Sequence, residues 1–365
     1  MNTFKEKNIS TYEEELFYAI AFSMYKEVGE KQKVKMLRFY KSAFNIFKYR
    51  KKNNSDWPLI KAEAELKFID KNAIQCFSIL NAYYPNRLAN ISDPPNLLFL
   101  KGSDHFNLPQ LISIVGTRQH TFQVKKVVTE LLEGLTHLKI GVVSGLALGV
   151  DGIAHQAALT TKLPTWGVLA HGLDTIYPNE HRGLAIKMLQ NNGGLITECL
   201  SKTPTMTFQF PKRNRIVAGM SDATIVIESD LKGGSMISAN LSRGYDREVF
   251  AVPGKIHDSK STGCLYLIQN NIATMYHSPL QLLEDMHWPL PNEQKIFVIK
   301  PMQKNIILDP IAKCIYMFIQ TQGPIHVDII ASQLAITSSE LASYLLQLEL
   351  NGHIQLLAGN LYLAT

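Results

Sequence analysis

The chain has 365 residues, 46% of them apolar and 19% charged, a balance that excludes a disordered chain and leaves room for two or three domains with real cores. Its 37 Lys and Arg against 31 Asp and Glu give a net charge of +6, which permits polyanion binding without demanding it. Cys76, Cys199, Cys264 and Cys314 stand far apart with no CxxC pair, so neither a disulfide framework nor a zinc site is expected. The mixed charge of Met1–Lys7 does not read as a signal peptide, and no apolar run reaches the roughly eighteen residues of a membrane span, so a cytoplasmic chain without a membrane partner is expected.

In chain order, residues 10–100 read as helical, with apolar positions at three- and four-residue intervals in Leu16–Phe22 and again at Val34, Leu37, Phe44 and Phe47. Nine Lys or Arg and no acid lie between Lys31 and Lys52, a run that reads either as a solvated helix face or as one turned to nucleic acid. Asp93-Pro94-Pro95-Asn96 breaks the helical pattern, and Leu97–Leu100 reads as a short strand. From Leu111 the pattern changes to short β-branched runs at 111–115, 140–143, 165–170, 194–197, 223–228 and 248–252. Helices are predicted over 121–137, 151–161, 179–191, 212–220 and 235–244. Such alternation implies α/β architecture, an open doubly wound and mostly parallel sheet with ligands beyond the carboxyl ends of its strands.

Trp288-Pro289-Leu290-Pro291-Asn292 marks a linker. Beyond it, helices predicted at 309–320, 327–335 and 338–351, followed by a hairpin of 353–357 and 360–364 around Ala358-Gly359, make a winged-helix pattern. Residues 305–365 hold one Lys, no Arg and four acids, so this module reads as a protein-contact or packing domain rather than a groove reader.

Glycine turns recur where the predicted strands end. Gly116-Thr117-Arg118 follows the first strand, Ser144-Gly145 opens a small-residue loop that runs to Asp151, and Gly233-Gly234-Ser235 opens the helix at 235. Each turn brings backbone amides to the sheet edge just as a helix begins, a setting that suits anions. None is a nucleotide fingerprint: the 145–149 loop lacks the Lys and Ser/Thr of a P-loop, and no GxGxxG follows the first strand. ATP, NAD or another cofactor is therefore not expected. Asp151 and His155 share a helix face, either as an acid–base pair or half a metal site, or as a helix cap beside a locally bonded histidine.

Phe210-Pro211-Lys212-Arg213-Asn214-Arg215 packs three cations into four positions, and Phe208 and Phe210 add aromatic faces just before them. Such interleaving suits single-stranded nucleic acid, whose bases stack and whose phosphates pair, although the rings fit ordinary core packing as well.

In order along the chain, Ile114–Arg118, Val142–Ala147 with Gly149-Val150-Asp151 and Ala154-His155, Gly172-Leu173-Asp174 with Tyr177-Pro178, Phe210-Pro211 with Arg213–Ile216, Gly234-Ser235 with Ala239, and Val252-Pro253-Gly254 resemble the DNA-processing protein A family, DprA, also called Smf. The resemblance covers about 110–275, with a lead-in from Tyr84-Pro85 to Lys101-Gly102. It implies an extended Rossmann-like domain that binds single-stranded DNA, dimerises, and helps load the RecA recombinase during natural transformation, without catalysis. The implied DNA-binding residues are Gly116, Arg118, Ser144, Gly145, Phe210, Lys212, Arg213, Asn214, Arg215, Gly234 and Ser235, with Arg118 and Lys212 foremost. The domains expected on this basis are a helical sterile-alpha-motif-like or degenerate helix-hairpin-helix domain at 1–80, the Rossmann-like domain at 81–287, a linker at 288–304 and a winged helix at 305–365. Glu27 stands where the first hairpin glycine would, and Gly263-Cys264-Leu265-Tyr266 departs from the family's later loop.

The alternative is a nucleotide phosphoribohydrolase-like enzyme, since that related family also sets glycine loops and arginines around a phosphate. Its signature leads to a catalytic Glu, whereas no carboxylate follows Gly233-Gly234-Ser235 until after Arg243.

Overall fold

The computed structural model describes residues 11–49, 58–255, 257–291, 309–357 and 360–364. Two compact units divide the chain, 1–291 and 292–365.

The first unit opens with four helices, α1 (Thr11–Met24), α2 (Glu30–Tyr40), α3 (Ala43–Tyr49) and α4 (Leu59–Lys71). Their apolar faces meet around Ile20, Phe22, Leu37 and Ile46, and Cys76, Leu97 and Phe99 from the sheet edge join the same cluster. The helical segment is thus seated on one face of the sheet through shared side chains.

The sheet has nine strands: β1 (Gln75–Ser78), β2 (Leu97–Gly102), β3 (Gln110–Val115), β4 (Ile140–Ser144), β5 (Thr165–Val168), β6 (Gly194–Thr197), β7 (Ala223–Val226), β8 (Glu248–Ala251) and β9 (Thr274–Met275). Their spatial order is β1-β2-β6-β5-β4-β3-β7-β8-β9. All pairs from β6 to β9 are parallel, as predicted, whereas β2 runs antiparallel to both β1 and β6. β1 and β9 are strands the sequence reading did not include: β1 lies within the stretch read as helical, and β9 has only two residues.

Between the strands run α5 (Asn86–Ala89), α6 (Gln123–Gly134), α7 (Val150–Thr160), α8 (Arg182–Gln190), α9 (Gln209–Met220), α10 (Gly234–Gly244), α11 (Thr262–Gln269) and α12 (Pro279–Asp285). The central strands are buried along their length because helices cover both faces, so they read as continuous apolar runs rather than as alternation. Trp166, Ile216 and Val217 belong to the cluster on one face, and Val128, Leu131 and Ile225 to that on the other. Trp288, at the expected start of the linker, packs against the latter, while linker residues 292–304 lie outside the described residues.

From β3 the chain winds outward through β4, β5 and β6, then returns to lay β7 on the other side of β3, where Ile112 pairs with Val142 and with Ala223. The loops leaving β3, β4 and β7 therefore diverge at a topological switch point, where an open α/β sheet forms a crevice.

The second unit holds α13 (Pro310–Gln322), β10 (Ile325–His326), α14 (Val327–Leu334), α15 (Ser338–Leu350), β11 (Ile354–Leu357) and β12 (Leu361–Ala364). β12 lies between β10 and β11, and Ile315, Ile319, Leu341, Leu345 and Leu348 fill its core, giving the winged helix that the pattern predicts. The hairpin turn at Ala358-Gly359 lies outside the described residues. Among the described residues no single helix is long and apolar enough to cross a membrane.

Candidate nucleic-acid interface

A cleft of about 410 Å³ lies at the carboxyl edge of the sheet, between the loops that follow β3, β4 and β7 and the first turn of α9. The three loops are tied to one another by their own backbone. The Thr117 N–H donates to the Glu228 carbonyl at 2.7 Å, and the Val150 N–H donates to the Thr117 carbonyl at 3.2 Å. Gly149 makes the second contact possible: it sits at φ +83°, and a Cβ there would stand 2.6 Å from the Arg118 Cα.

Sequence-singled residues take three kinds of place in this arrangement. Gly116, Arg118, Gly145, Phe210, Arg213, Asn214, Gly234 and Ser235 all line the cleft. Ser144 is fully buried, and its hydroxyl donates to the Ile114 carbonyl at 2.6 Å, so it serves the strand junction. Lys212 and Arg215 do not line the cleft: both turn to Glu198, Lys212 at 3.6 Å, and Arg215 also donates to the Asp93 carbonyl. Helix geometry explains the split. Positions 212 and 215 are one turn apart and share a face, while 213, a further 100° round, points elsewhere.

Arg213 is the inward member of the cluster. Its side chain is 5% exposed, and its Nη1 donates to the carbonyls of Gly145 and Val168. Facing it, the buried Asp151 carboxylate accepts the N–H groups of Gly145 at 3.1 Å and Ala147 at 3.4 Å. Gly145 is thus held from both sides, its carbonyl by the cation and its amide by the anion. A Cβ at this position would stand 2.6 Å from the guanidinium carbon, so only glycine admits the arginine. Burial pushes the Asp151 carboxyl up while Arg213 pulls it down, and burial likewise lowers Arg213 against the pull of Asp151. Burial also pushes the Glu198 carboxyl up, against Arg215 and Lys212. Asp151 bonds the loop before its helix, whereas a cap of α7 itself was one sequence expectation; Gly149 is the N-cap residue.

At the mouth, Arg118 is exposed and forms no ion pair among the described residues; its guanidinium carbon lies 5.4 Å from the Phe210 ring centroid. Tyr177 stands beside the same ring at 6.1 Å, and Phe208 is 66% exposed. α9 starts at Gln209, three residues before its predicted start, so Phe210 and Pro211 occupy its first turn, where the missing proline N–H costs no helix bond. Opposite, α10 begins at Gly234 behind the N-cap Gly233, which has no side chain to occupy the first amides. Asn214 Nδ2 donates to the Gly234 carbonyl at 3.2 Å, joining α9 to that turn. Sequence reasoning left Asp151, Glu198 and Asp93 without these roles, since nothing in their spacing marks which amide or cation each would meet.

Beneath the loop, His155 Nδ1 lies 2.6 Å from Thr165 Oγ1, which itself donates to the Val142 carbonyl. Nδ1 is therefore the protonated nitrogen, and Nε2 is buried without a partner. Burial pushes this imidazole down to about 3, with His181 and Arg213 acting in the same direction. The folded state holds His155 neutral, while the unfolded chain protonates it below its ordinary 6.5. Stability is expected to fall as pH drops from 6.5 towards about 3, by up to about 1.4 kcal/mol per pH unit from this group. Urea unfolding from about pH 7 to about pH 5 checks this, and His155→Gln should flatten the slope; a slope equal to that of the native chain would remove His155 as its source.

The family model described as DNA recombination-mediator protein A matches residues 75–287, and that of the DprA winged helix domain matches 300–360. Protein Smf of Escherichia coli is 31% identical over 307 residues, covering 83% of this chain and 81% of that protein. The DNA processing protein DprA of Streptococcus pneumoniae is 39% identical over 194 residues, covering 53% and 68% respectively. In structure, the DNA processing protein A of Streptococcus pneumoniae superposes with a TM-score of 0.63 at 30% identity, covering 76% of this chain and 99% of that one. The DNA processing protein A of Helicobacter pylori, for which a single-stranded DNA binding mode is described, superposes at 0.53 and 29% identity, covering 59% and 95%. Nine-stranded sheet, switch-point cleft, winged helix and relatives agree, and the chain belongs to the DNA recombination-mediator protein A family, DprA/Smf.

Proposed function

We propose that this chain binds single-stranded DNA in the cleft at the switch point of its sheet. The observation that carries the reading is that cleft, where the exposed Arg118, without an ion pair among the described residues, lies over Phe210 and shares the lining with the glycine N-terminus of α10. A phosphate finds there a guanidinium and open helix amides, and a base finds a ring. The single-stranded DNA binding described for the Helicobacter pylori relative supports the choice of polyanion. Family membership supports the further reading that the chain works as a homodimer and passes its DNA to the RecA recombinase during natural transformation, in the cytoplasm. Its action is binding rather than catalysis: α10 carries no carboxylate, Asp151 is committed to loop amides, and Asp230 Oδ1 accepts the Lys232 N–H.

Arg118→Ala tests the reading directly. Affinity for an oligonucleotide, followed by fluorescence anisotropy, should fall roughly tenfold or more for one lost charge-assisted phosphate contact. The slope of log affinity against log salt should shrink by about 0.7. Unchanged affinity and slope would sink the assignment.

A further inference from the structure

α2 and α3 carry a second basic surface, lined with exposed rings. From Lys31 to Tyr49 the chain contains no Asp or Glu. Lys33, the one buried cation of this stretch, is paired with Glu30 at 3.1 Å and donates to the Ser23 carbonyl, while Lys31, Lys35, Arg38, Lys41 and Lys48 are exposed. Lys31, Lys35 and Arg38 recur at four and three residues and so form one stripe along α2. Phe39 ends that stripe 79% exposed, Tyr40 lies 5.1 Å from it, and Tyr49, 76% exposed, lies 5.3 Å from Tyr40. Glu15 of α1 accepts the Ser42 hydroxyl and the amides of Ala43 and Phe44, which fixes the turn between the two helices.

The stripe is also anchored to α5, whose Leu88 lies against Gly219 of α9. Arg38 Nη2 donates to the Ala89 carbonyl at 2.7 Å, which docks α2 on α5. At the other end of α2, the charge of Glu30 acts on the Glu198 carboxyl, the partner of Lys212 and Arg215 on α9. Lys212 lies off the cleft with its side chain half-exposed.

From the acid-free run of exposed cations, the exposed ring row it borders and its docking on α5, which itself packs on α9, we infer that the α2–α3 face binds the continuation of a single DNA strand held in the cleft. The inference rests on single-stranded DNA binding by the cleft. Phosphates would run along Lys31 and Lys35, and bases would stack on Phe39 and Tyr49. Exposed rings give a flexible strand what a duplex, with its bases already stacked, does not use. A solvated helix face accounts for the lysines alone, but water offers nothing to two large rings left open beside them.

The test compares oligothymidylates of about six and about thirty nucleotides, bracketing the site sizes usual for single-strand binders, on the full chain. Lys31→Ala/Lys35→Ala and, separately, Phe39→Ala change only exposed side chains, and circular dichroism confirms their folding. The double variant should lose about 1.4 units of salt slope on the long strand, at about 0.7 for each contact. Phe39→Ala should weaken the long strand between about fivefold and a hundredfold. Neither should change binding of the short strand, whereas Arg118→Ala should weaken both lengths. Unchanged long-strand affinity in both face variants, with Arg118→Ala still impaired, would overturn this inference and leave the cleft standing. An unaffected Arg118→Ala would instead remove the cleft. Equal losses on short and long strands, or equal losses on duplex and single strand, would also overturn the assignment.

Discussion

Arg213→Ala is expected to destabilise the 1–291 unit by about 3–5 kcal/mol, because it leaves the buried Asp151 carboxylate without its cation. The same change removes the donors to the Gly145 and Val168 carbonyls, which have no water to turn to. For a unit of this size, a loss of that order lowers the melting temperature by about 10 °C, which calorimetry would show. Asp151→Ala should also destabilise, and the double variant should lose less than the sum, since neither charge then remains alone. DNA affinity should fall as well, through the slackened Gly145 loop. A variant of native stability with lost affinity would instead make Arg213 a phosphate ligand and undo the bracing role.

Gly149→Ala carries the second large effect. The residue sits at φ +83°, ψ −130°, a region that a side chain enters only with strain of about 1–3 kcal/mol. Its new Cβ would also press on backbone, the Thr117 carbonyl and the Arg118 Cα, neither of which can swing away as a flexible side chain would. Together these place the cost on the order of 3 kcal/mol. Relief would come by moving the 116–118 loop, which carries Arg118, so single-strand affinity should fall in the same variant. Denaturant titration and anisotropy measure the two losses. Native values in both would show that the loops are not tied at this point.

The site was half legible in advance. Glycine turns mark strand ends, and Gly116, Gly145 and Gly234 do line the cleft at the sheet edge with Arg118; close neighbours, not backbone conformation, hold Gly116 and Gly145 to glycine. The cation cluster was visible as composition but not as geometry. Three neighbours on a helix point in different directions, and each finds a partner from a distant segment: Arg213 the loop of Gly145, Lys212 and Arg215 the carboxylate of Glu198. The basic run on α2 and α3 was equally visible, whereas the exposure of Phe39 and Tyr49 and the burial of Lys33 appear only in the fold.

The sequence by itself determined the parallel sheet from β3 to β8, the helices between its strands, the winged-helix order and the glycine turns, because these follow from periodicity and backbone freedom, which are local. Tertiary structure alone decided that β2 runs antiparallel beside β6, that Ser144 is spent on a strand junction, and which cations stay free. Those outcomes depend on groups brought together across the chain, where burial makes an unpaired charge or amide costly, and so among the described residues the buried Lys33, Arg213 and Arg215 each have a partner while the exposed Arg118 has no ion pair.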